Sequence, residues 1–315
     1  MRKDKRRRGE LVAVVDLGST AVRFLLARIV RGSGYRLLVE ERVATRLGSG
    51  APDRLSRAAI DDTLLAVRRF FLRHTEEGRG PRVIAVATSA VRDARNREQL
   101  LGPLRHDEGI EVQVLSAREE ARLGVYAALD GLPFENGMVA DLGGASLQLS
   151  RVRKRRLVAT ASLPLGAVRT TQRLLRHDPP TPRELQRLRR EVREQLTGAL
   201  PPAHRGEMMV GLGGTVRTLG SIYLRAHRGE RKHRNGLQLY QSDVTAIRER
   251  LESVSARRRR KIRGLKKERA DIILAGVIVV EEALIFGGYL TLVVCTHGVR
   301  DGLLLRETFG DRRRE

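Results

Sequence analysis

The chain has 315 residues and carries 61 Lys and Arg against 37 Asp and Glu, for a formal net charge of +24, while 41% of its residues are hydrophobic. This length is enough for about two domains with buried cores, and the hydrophobic content excludes wholesale disorder. A single cysteine excludes an internal disulfide and a thiolate zinc site, and it is typical of a reduced, cytoplasmic protein. The lack of Trp and an aromatic content of 3% leave few side chains on which bases could stack, which disfavours a specific nucleic-acid surface. We therefore expect a different polyanionic partner, and we expect part of the arginine to form a solvated surface coat.

The first half of the chain predicts an α/β pattern after a basic tail. Residues 1–10 are strongly charged and without periodicity, and we expect them to be disordered. Elsewhere, short β-branched runs predict strands, and apolar side chains at helical spacing predict helices. On these grounds we expect strands at 11–15, 24–30, 83–87 and 112–115, and helices at 56–74 and 116–129.

The pattern restarts after residues 130–137, a stretch with Gly and Pro that is the best candidate for a domain boundary. The apolar run at 272–280 ends at Glu281 and Glu282, short of the ~20 residues that span a bilayer, so it predicts a buried helix and no membrane anchor. For the rest of this half we expect strands at 138–140, 147–152, 208–210 and 290–295, and helices at about 183–200, at 272–284 and at the end of the chain.

Three glycine turns follow short apolar strands. Asp16 opens DLGST at 16–20, Asp141 opens DLGGAS at 141–146, and GLGGT at 211–215 places Thr215 at a helix start. Glycine lets backbone N–H groups approach phosphate oxygens, hydroxyls add donors, and an aspartate can hold Mg²⁺ or orient water. One such turn is usually an ordinary hairpin, but its repetition predicts duplicated domains with phosphate-binding turns.

The helix that starts near Ser116 carries two adjacent glutamates with different predicted roles. Ser116 and Glu119 fit a capping box, in which each side chain bonds the other residue's backbone N–H. Glu120 is left without a local partner in the first turns, where the helix dipole favours an ionised carboxylate. An ionised carboxylate is what a general base needs, so Glu120 is a candidate base.

Together these segments resemble the Ppx/GppA phosphatase family, part of the actin/sugar kinase/Hsp70-like superfamily. The match runs in the family's order from Val14 to Leu305, and VATSAVRDARN and VLSAREEARLGVYAAL are its most specific segments. The resemblance implies an α/β fold with two ribonuclease-H-like (actin-like ATPase) domains flanking an interdomain cleft, in the short form of the family. The first domain would cover 11–131 plus a closing helix at about 298–312, and the second would cover 132–297. The resemblance also implies a homodimer.

The resemblance also implies the reaction, which is hydrolysis of the terminal phosphoanhydride bonds of inorganic polyphosphate. Glu120 would act as base, Arg92 would stabilise the transferring phosphoryl group, and Asp16 and Asp141 would bind Mg²⁺ or orient the nucleophile. Removal of the 5′-terminal phosphate of pppGpp stays open as an alternative, whereas the EEAR and SAVRDARN segments argue against a kinase. Phosphates would lie against the three turns, at Gly18, Ser19, Thr20, Gly143, Gly144, Ala145, Ser146, Gly213, Gly214 and Thr215.

Two departures from the family's second turn place its metal chemistry in question. Gln148 stands where the family has a glutamate implicated in metal binding and catalysis, and an amide oxygen can ligate Mg²⁺ but lacks the charge. Ala145 replaces a glycine and adds a Cβ where backbone is expected to approach phosphate. These departures support a second hypothesis, in which the chain is a weakened or non-catalytic binder of polyphosphate or of guanosine penta- and tetraphosphate.

A basic stretch, RRRRKIRGLKKER, occupies residues 257–269 just before the apolar helix. Its charge and the family's polyanionic substrate suggest a surface that leads a polyphosphate chain to the site. A run of solvated charges with no binding role is an equal alternative.

Overall fold

The computed structural model describes residues 9–51, 53–74, 80–199, 201–204, 206–227 and 233–310. Contacts group the described residues into two compact units, one ending at Leu123 and resuming at Val299, the other running from Gly124 to Gly298. Each unit contains one β-sheet. Of the predicted basic tail, residues 1–8 lie outside the described residues, while Glu10 begins the first strand.

The sheet of the first unit combines an antiparallel meander with parallel strands. Strand β1 lies antiparallel to β2 and parallel to β4, and the strand order is β3-β2-β1-β4-β5. Strand β3 was not predicted, because none of its side chains is fully buried and half of them are exposed. The strands are β1 (Glu10–Leu17), β2 (Val22–Val30), β3 (Gly34–Val43), β4 (Arg82–Ala87) and β5 (Val112–Val114).

Both faces of the central strand β1 are buried, which explains why β1 is a nearly continuous apolar run. Val15 faces a core cluster that includes residues of the first and third helices, whereas Val14 faces a second cluster that includes residues of the last helix. The unit's helices are α1 (Arg57–His74), α2 (Ser89–Asp93), α3 (Glu98–His106), the start of α4 (Ala117–Gly131) and α11 (Val299–Phe309). The division between the units falls inside α4.

The second unit repeats the arrangement of the first. Strand β6 lies antiparallel to β7 and parallel to β9, as β1 does with β2 and β4, and the order is β10-β11-β9-β6-β7-β8. This repetition confirms the predicted duplication of the strand, glycine turn and hairpin. The strands are β6 (Gly137–Leu142), β7 (Leu147–Arg153), β8 (Arg156–Leu163), β9 (Met208–Leu212), β10 (Leu237–Tyr240) and β11 (Thr291–Val294).

Six helices complete the described part of this unit: α5 (Ala167–Leu174), α6 (Pro182–Leu196), α7 (Gly213–Ala226), α8 (Gln241–Glu252), α9 (Ala256–Arg259) and α10 (Ile273–Gly287). The helix α10 is buried as predicted, and the carboxylate of Glu282 inside it accepts hydrogen bonds from two arginines of α6. Within the described ranges, every helix is too short or too polar to cross a membrane.

A capping box starts α6, with Glu184 reaching back to Thr181. Burial opposes ionisation of Glu184, but hydrogen bonds from Thr181, His177 and Arg176 outweigh it and hold the pKa of Glu184 at about 2.

Candidate active site

The first glycine turn is held by backbone hydrogen bonds at the end of β1. The amide of Gly18 donates to Ala21 at 3.2 Å, and the amide of Gly48 donates to the carbonyl of Ser19 at 2.7 Å. The hydroxyl of Ser19 lies 3.3 Å from that of Ser89, so the turn meets the start of α2. This arrangement brings Ser19 together with the helix that carries Arg92.

Asp16 has cationic neighbours at this turn. Its carboxylate accepts a hydrogen bond from Arg23, directly opposite on β2, at 3.2 Å, and the guanidinium of Arg300 lies 3.9 Å away. The Asp16 side chain is 5% exposed. A metal ion at Asp16 would compete with both guanidinium groups, so the assignment of Asp16 as a Mg²⁺ ligand stays a prediction.

Arg92 and Glu120 form an ion pair. One nitrogen of Arg92 donates to the carboxylate of Glu120 at 2.9 Å and to the carbonyl of Leu115 at 2.8 Å. Glu120 was expected to have no partner nearby in the sequence, and its cation comes from α2, 28 residues away along the chain. The Glu120 side chain is 11% exposed, so the predicted base and the predicted phosphate-stabilising cation share one largely buried pair.

The capping box beside Glu120 is confirmed. The amide of Ser116 donates to Glu119 at 2.9 Å, and the amide of Glu119 donates to the Ser116 hydroxyl at 3.2 Å. The hydrogen bond from the Ser116 backbone is the main cause that lowers the pKa of Glu119. Because Glu119 caps the N-terminal end of α4, Glu120 is the one of the two glutamates that lies against Arg92, whose guanidinium also lies 3.9 Å from Asp93.

In the second turn, Asp141 and Gln148 face one another across β6 and β7. Gln148 is 3% exposed, and among the described residues neither its amide oxygen nor its amide nitrogen has a hydrogen-bond partner. An unpaired buried amide oxygen opposite a carboxylate fits a hard cation such as Mg²⁺. The described ranges contain no cluster of three or more His, Cys, Asp or Glu placed to hold a metal, so water and phosphate oxygens would complete the coordination.

The backbone of the second turn is packed against α5. The amides of Ala167 and Val168 donate to the carbonyls of Gly143 and Gly144 at 3.0 and 2.8 Å, which uses the first N–H groups of that helix. A Cβ at Gly166 would lie 2.2 Å from the backbone of Ala145, so only glycine fits there.

Ala145 is 3% exposed. The protein encloses this residue, and the expected obstruction of phosphate by its Cβ stays a prediction.

The third turn lies beside the second. Leu142 and Gly213 form a β-bridge, and Gly213 has φ +91°, where a Cβ would lie 2.3 Å from the Leu142 carbonyl and 3.0 Å from the Asp141 carboxylate. The helix α7 starts at Gly213, so Thr215 lies in its first turn, in agreement with the prediction of a helix start there. The aspartate of the second turn and the glycines of the third therefore form one site within the second unit.

Sequence reasoning missed the role of Arg269 at this turn. Its guanidinium covers Gly214 so closely that a Cβ there would lie 2.3 Å from a nitrogen, and it donates to the hydroxyl of Thr215 at 3.3 Å. Thr215 is fully buried and Arg269 is 6% exposed. Its position in the sequence could have indicated this role, because Arg269 is the last residue of the basic stretch and directly precedes a buried apolar segment.

Comparisons with known proteins agree with this architecture. The model of the Ppx/GppA phosphatase family matches residues 25–309. "Exopolyphosphatase 2" of Mycobacterium tuberculosis is 32% identical, over 93% of this chain and 97% of that protein. "Exopolyphosphatase 1" of Mycobacterium leprae is 28% identical, over 94% of this chain and 89% of that protein.

Solved structures give the same result. The Aquifex aeolicus member of the Ppx/GppA family superposes with a TM-score of 0.78 at 28% identity, over 95% of this chain and 97% of that one. An exopolyphosphatase from Cytophaga hutchinsonii has the same fold, with a TM-score of 0.84 at 24% identity, over 95% of this chain and 98% of that one. With two units of matching topology and a family match over most of its length, the chain belongs to the Ppx/GppA phosphatase family.

Proposed function

We propose that this protein is an exopolyphosphatase, which hydrolyses the terminal phosphoanhydride bond of inorganic polyphosphate and releases orthophosphate. The observation that carries the proposal is the Arg92–Glu120 pair, in which a carboxylate and a guanidinium meet at 2.9 Å. The names of the two mycobacterial relatives support polyphosphate as the substrate. The net charge of +24 supports a polyanion over a small nucleotide.

The pair supplies both functions that the reaction requires. Glu120 accepts a proton from water as the water oxygen attacks the terminal phosphorus. The bridging P–O bond breaks, and the shortened chain leaves with the electron pair on its new terminal oxygen. Arg92 neutralises the charge that gathers on the transferring phosphoryl oxygens, which is the part of phosphoryl transfer that proteins stabilise most strongly.

The glycine turns bind the phosphates in this proposal. In the first unit the backbone around Ser19 and Thr20 provides donors, and in the second the backbone of Gly143–Ser146 and of Gly213–Gly214 does so. The fully buried Thr215 hydroxyl accepts from Arg269, so in this proposal Arg269 adds a cation to the third turn.

Asp141 and Gln148 are the residues that would hold Mg²⁺. When bound, Mg²⁺ neutralises phosphate oxygens and lowers the cost of the charge that develops on them. Asp141 contributes the one negative charge of this set, and Gln148 contributes a neutral oxygen. We propose cytoplasmic action as well, supported by a free cysteine, Cys295, that is buried.

The second candidate function is a polyphosphate-binding protein with little or no turnover. It is favoured by the neutral side chain of Gln148, which is buried and unpaired among the described residues. The two candidates share a binding site and differ in whether bound polyphosphate is cleaved.

The deciding experiment measures orthophosphate release from long-chain polyphosphate with Mg²⁺. Glu120→Gln removes the base while keeping the shape of the side chain. Glu119→Gln is the matched control, because a glutamine at residue 119 can keep the capping contact with Ser116. The proposal expects an active wild type, an inactive Glu120→Gln variant and an active Glu119→Gln variant. If the wild type binds polyphosphate without cleaving it and Gln148→Glu gains activity, the binding protein is the correct reading. Release of phosphate from pppGpp alone would make the protein a pppGpp phosphohydrolase.

A further inference from the structure

The basic stretch at residues 257–269, here called the basic strap, is not a uniformly solvated run. Of its nine Lys and Arg, Arg259 and Arg269 are buried, as are Ile262 and Leu265. The other cations are exposed, and no acidic residue precedes Glu268 in the strap. These exposed residues are Arg257, Arg258, Arg260, Lys261, Arg263, Lys266 and Lys267.

The inward-facing residues fix the strap to the second unit. Arg259 donates to the carbonyl of Leu251 at 2.7 Å, while Ile262 and Leu265 belong to the main hydrophobic cluster of the unit. Gly264 has φ +93° and passes so close to α7 that a Cβ would lie 2.4 Å from the carbonyl of Ser221. An anchored backbone holds the exposed cations in a defined row at a low entropic cost to binding.

The strap runs along α7 toward the third glycine turn. Gly264 lies against Ser221, and Arg269 lies against Gly214 and Thr215 at the start of the helix. Positions 214 and 221 are two turns apart on one face of α7, a distance of about 10 Å. The exposed cations therefore extend outward from the end of the site where phosphates are proposed to bind.

We propose that the exposed face of the basic strap binds the internal phosphates of a polyphosphate chain whose end lies at the third glycine turn. The proposal rests on the proposed function for the identity of the ligand. A row of exposed cations with no acidic residue among positions 257–267 of the sequence matches a chain with a negative charge on every unit. The strap contains no aromatic residue on which a base could stack, which favours polyphosphate over single-stranded RNA.

The test is equilibrium binding of long-chain polyphosphate and of tripolyphosphate to the intact protein at several salt concentrations. The strap variant carries Arg260→Gln, Lys261→Gln and Arg263→Gln. The matched control carries Arg183→Gln, Arg187→Gln and Arg190→Gln, three exposed arginines of α6 in the same unit. At low salt we expect the strap variant to lose about tenfold in affinity for the long chain, at about two- to threefold for each exposed contact.

Chain length separates the strap from the glycine turns. A chain of three phosphates covers only part of the path along α7, so the strap variant should lose less than about twofold for tripolyphosphate. The slope of log affinity against log salt should also fall by up to about 2 for three contacts on a flexible strand.

Three outcomes are decisive. Equal affinities of the strap and control variants for the long chain would refute the binding role of the strap and leave the proposed function intact. Loss of affinity for single-stranded polyuridylate with unchanged polyphosphate binding would make the strap a nucleic-acid surface instead. If the wild type binds the long chain in a strap-dependent way but releases no orthophosphate, the binding role of the strap is supported and the exopolyphosphatase activity is refuted.

Discussion

Replacing Gln148 with glutamate places a second carboxylate opposite Asp141 on neighbouring strands. Gln148 is 3% exposed, so the new charge is placed where water is largely excluded. Side chains directly opposite on antiparallel strands have Cβ atoms about 5 Å apart. Two unit charges at that distance repel by about 3 kcal/mol at an effective dielectric constant of about 20.

The Gln148→Glu variant should therefore be less stable in EDTA and recover with Mg²⁺. For a unit of this size, about 3 kcal/mol corresponds to a fall in Tm of about 6–12 °C. Binding of Mg²⁺ at about one hundred times its Kd returns about 2.7 kcal/mol, which offsets most of the loss. We expect a large Tm difference between EDTA and Mg²⁺ in the variant and a smaller one in the wild type.

Thermal unfolding followed by circular dichroism measures this without any dependence on activity. Gln238→Glu is the matched control, because Gln238 is an exposed glutamine on β10 of the same unit. A Gln148→Glu variant whose Tm deficit is the same in EDTA and in Mg²⁺ would refute the assignment of Asp141 and residue 148 as a metal site.

Three further predictions concern other parts of the protein. Arg92→Ala should abolish phosphate release and cost about 1–3 kcal/mol in urea unfolding, because Glu120 stays largely buried without its cation, and a variant of full activity would remove Arg92 from the mechanism. Gly166→Ala should misplace the second turn and destabilise the fold by about 3 kcal/mol or more, whereas Gly102→Ala, where a Cβ meets nothing within 4 Å, should be neutral or stabilising in the same denaturant series. Glu184 has a pKa lowered to about 2, so its stabilisation is complete above the unfolded pKa of about 4.3 and is lost as pH falls toward 2. The difference in unfolding free energy between the wild type and Glu184→Gln should therefore shrink as the pH falls from about 4.3 to about 2. A difference independent of pH would contradict the lowered pKa of Glu184.

Much of the fold was readable from local pattern. Strand β1 was identified because both of its faces are buried and its residues are continuously apolar. Strand β3 was not predicted because none of its side chains is fully buried, although it pairs with β2 across a short turn at residues 31–33. The start of α4 was correct because a capping box is made by residues three apart in the sequence.

The same distinction applies to the candidate site. The sequence identified Glu120 as a candidate general base but could not identify its partner, because Arg92 contacts Glu120 only when α2 and α4 are packed together. The sequence could not distinguish the buried Arg269 from the exposed cations of the basic stretch, because the residue type alone does not show which side chains point inward.

The sequence by itself determined the duplicated strand-and-turn pattern, the family resemblance and the residue types at each glycine turn, because these depend on neighbours in the chain. Tertiary structure alone decided which charges meet. It paired Arg92 with Glu120, set two guanidinium groups against Asp16, left the Gln148 amide unpaired among the described residues, and turned Arg269 onto the third turn. The physical reason is that electrostatic partnership depends on distance and burial in space, and neither can be read from position along the chain.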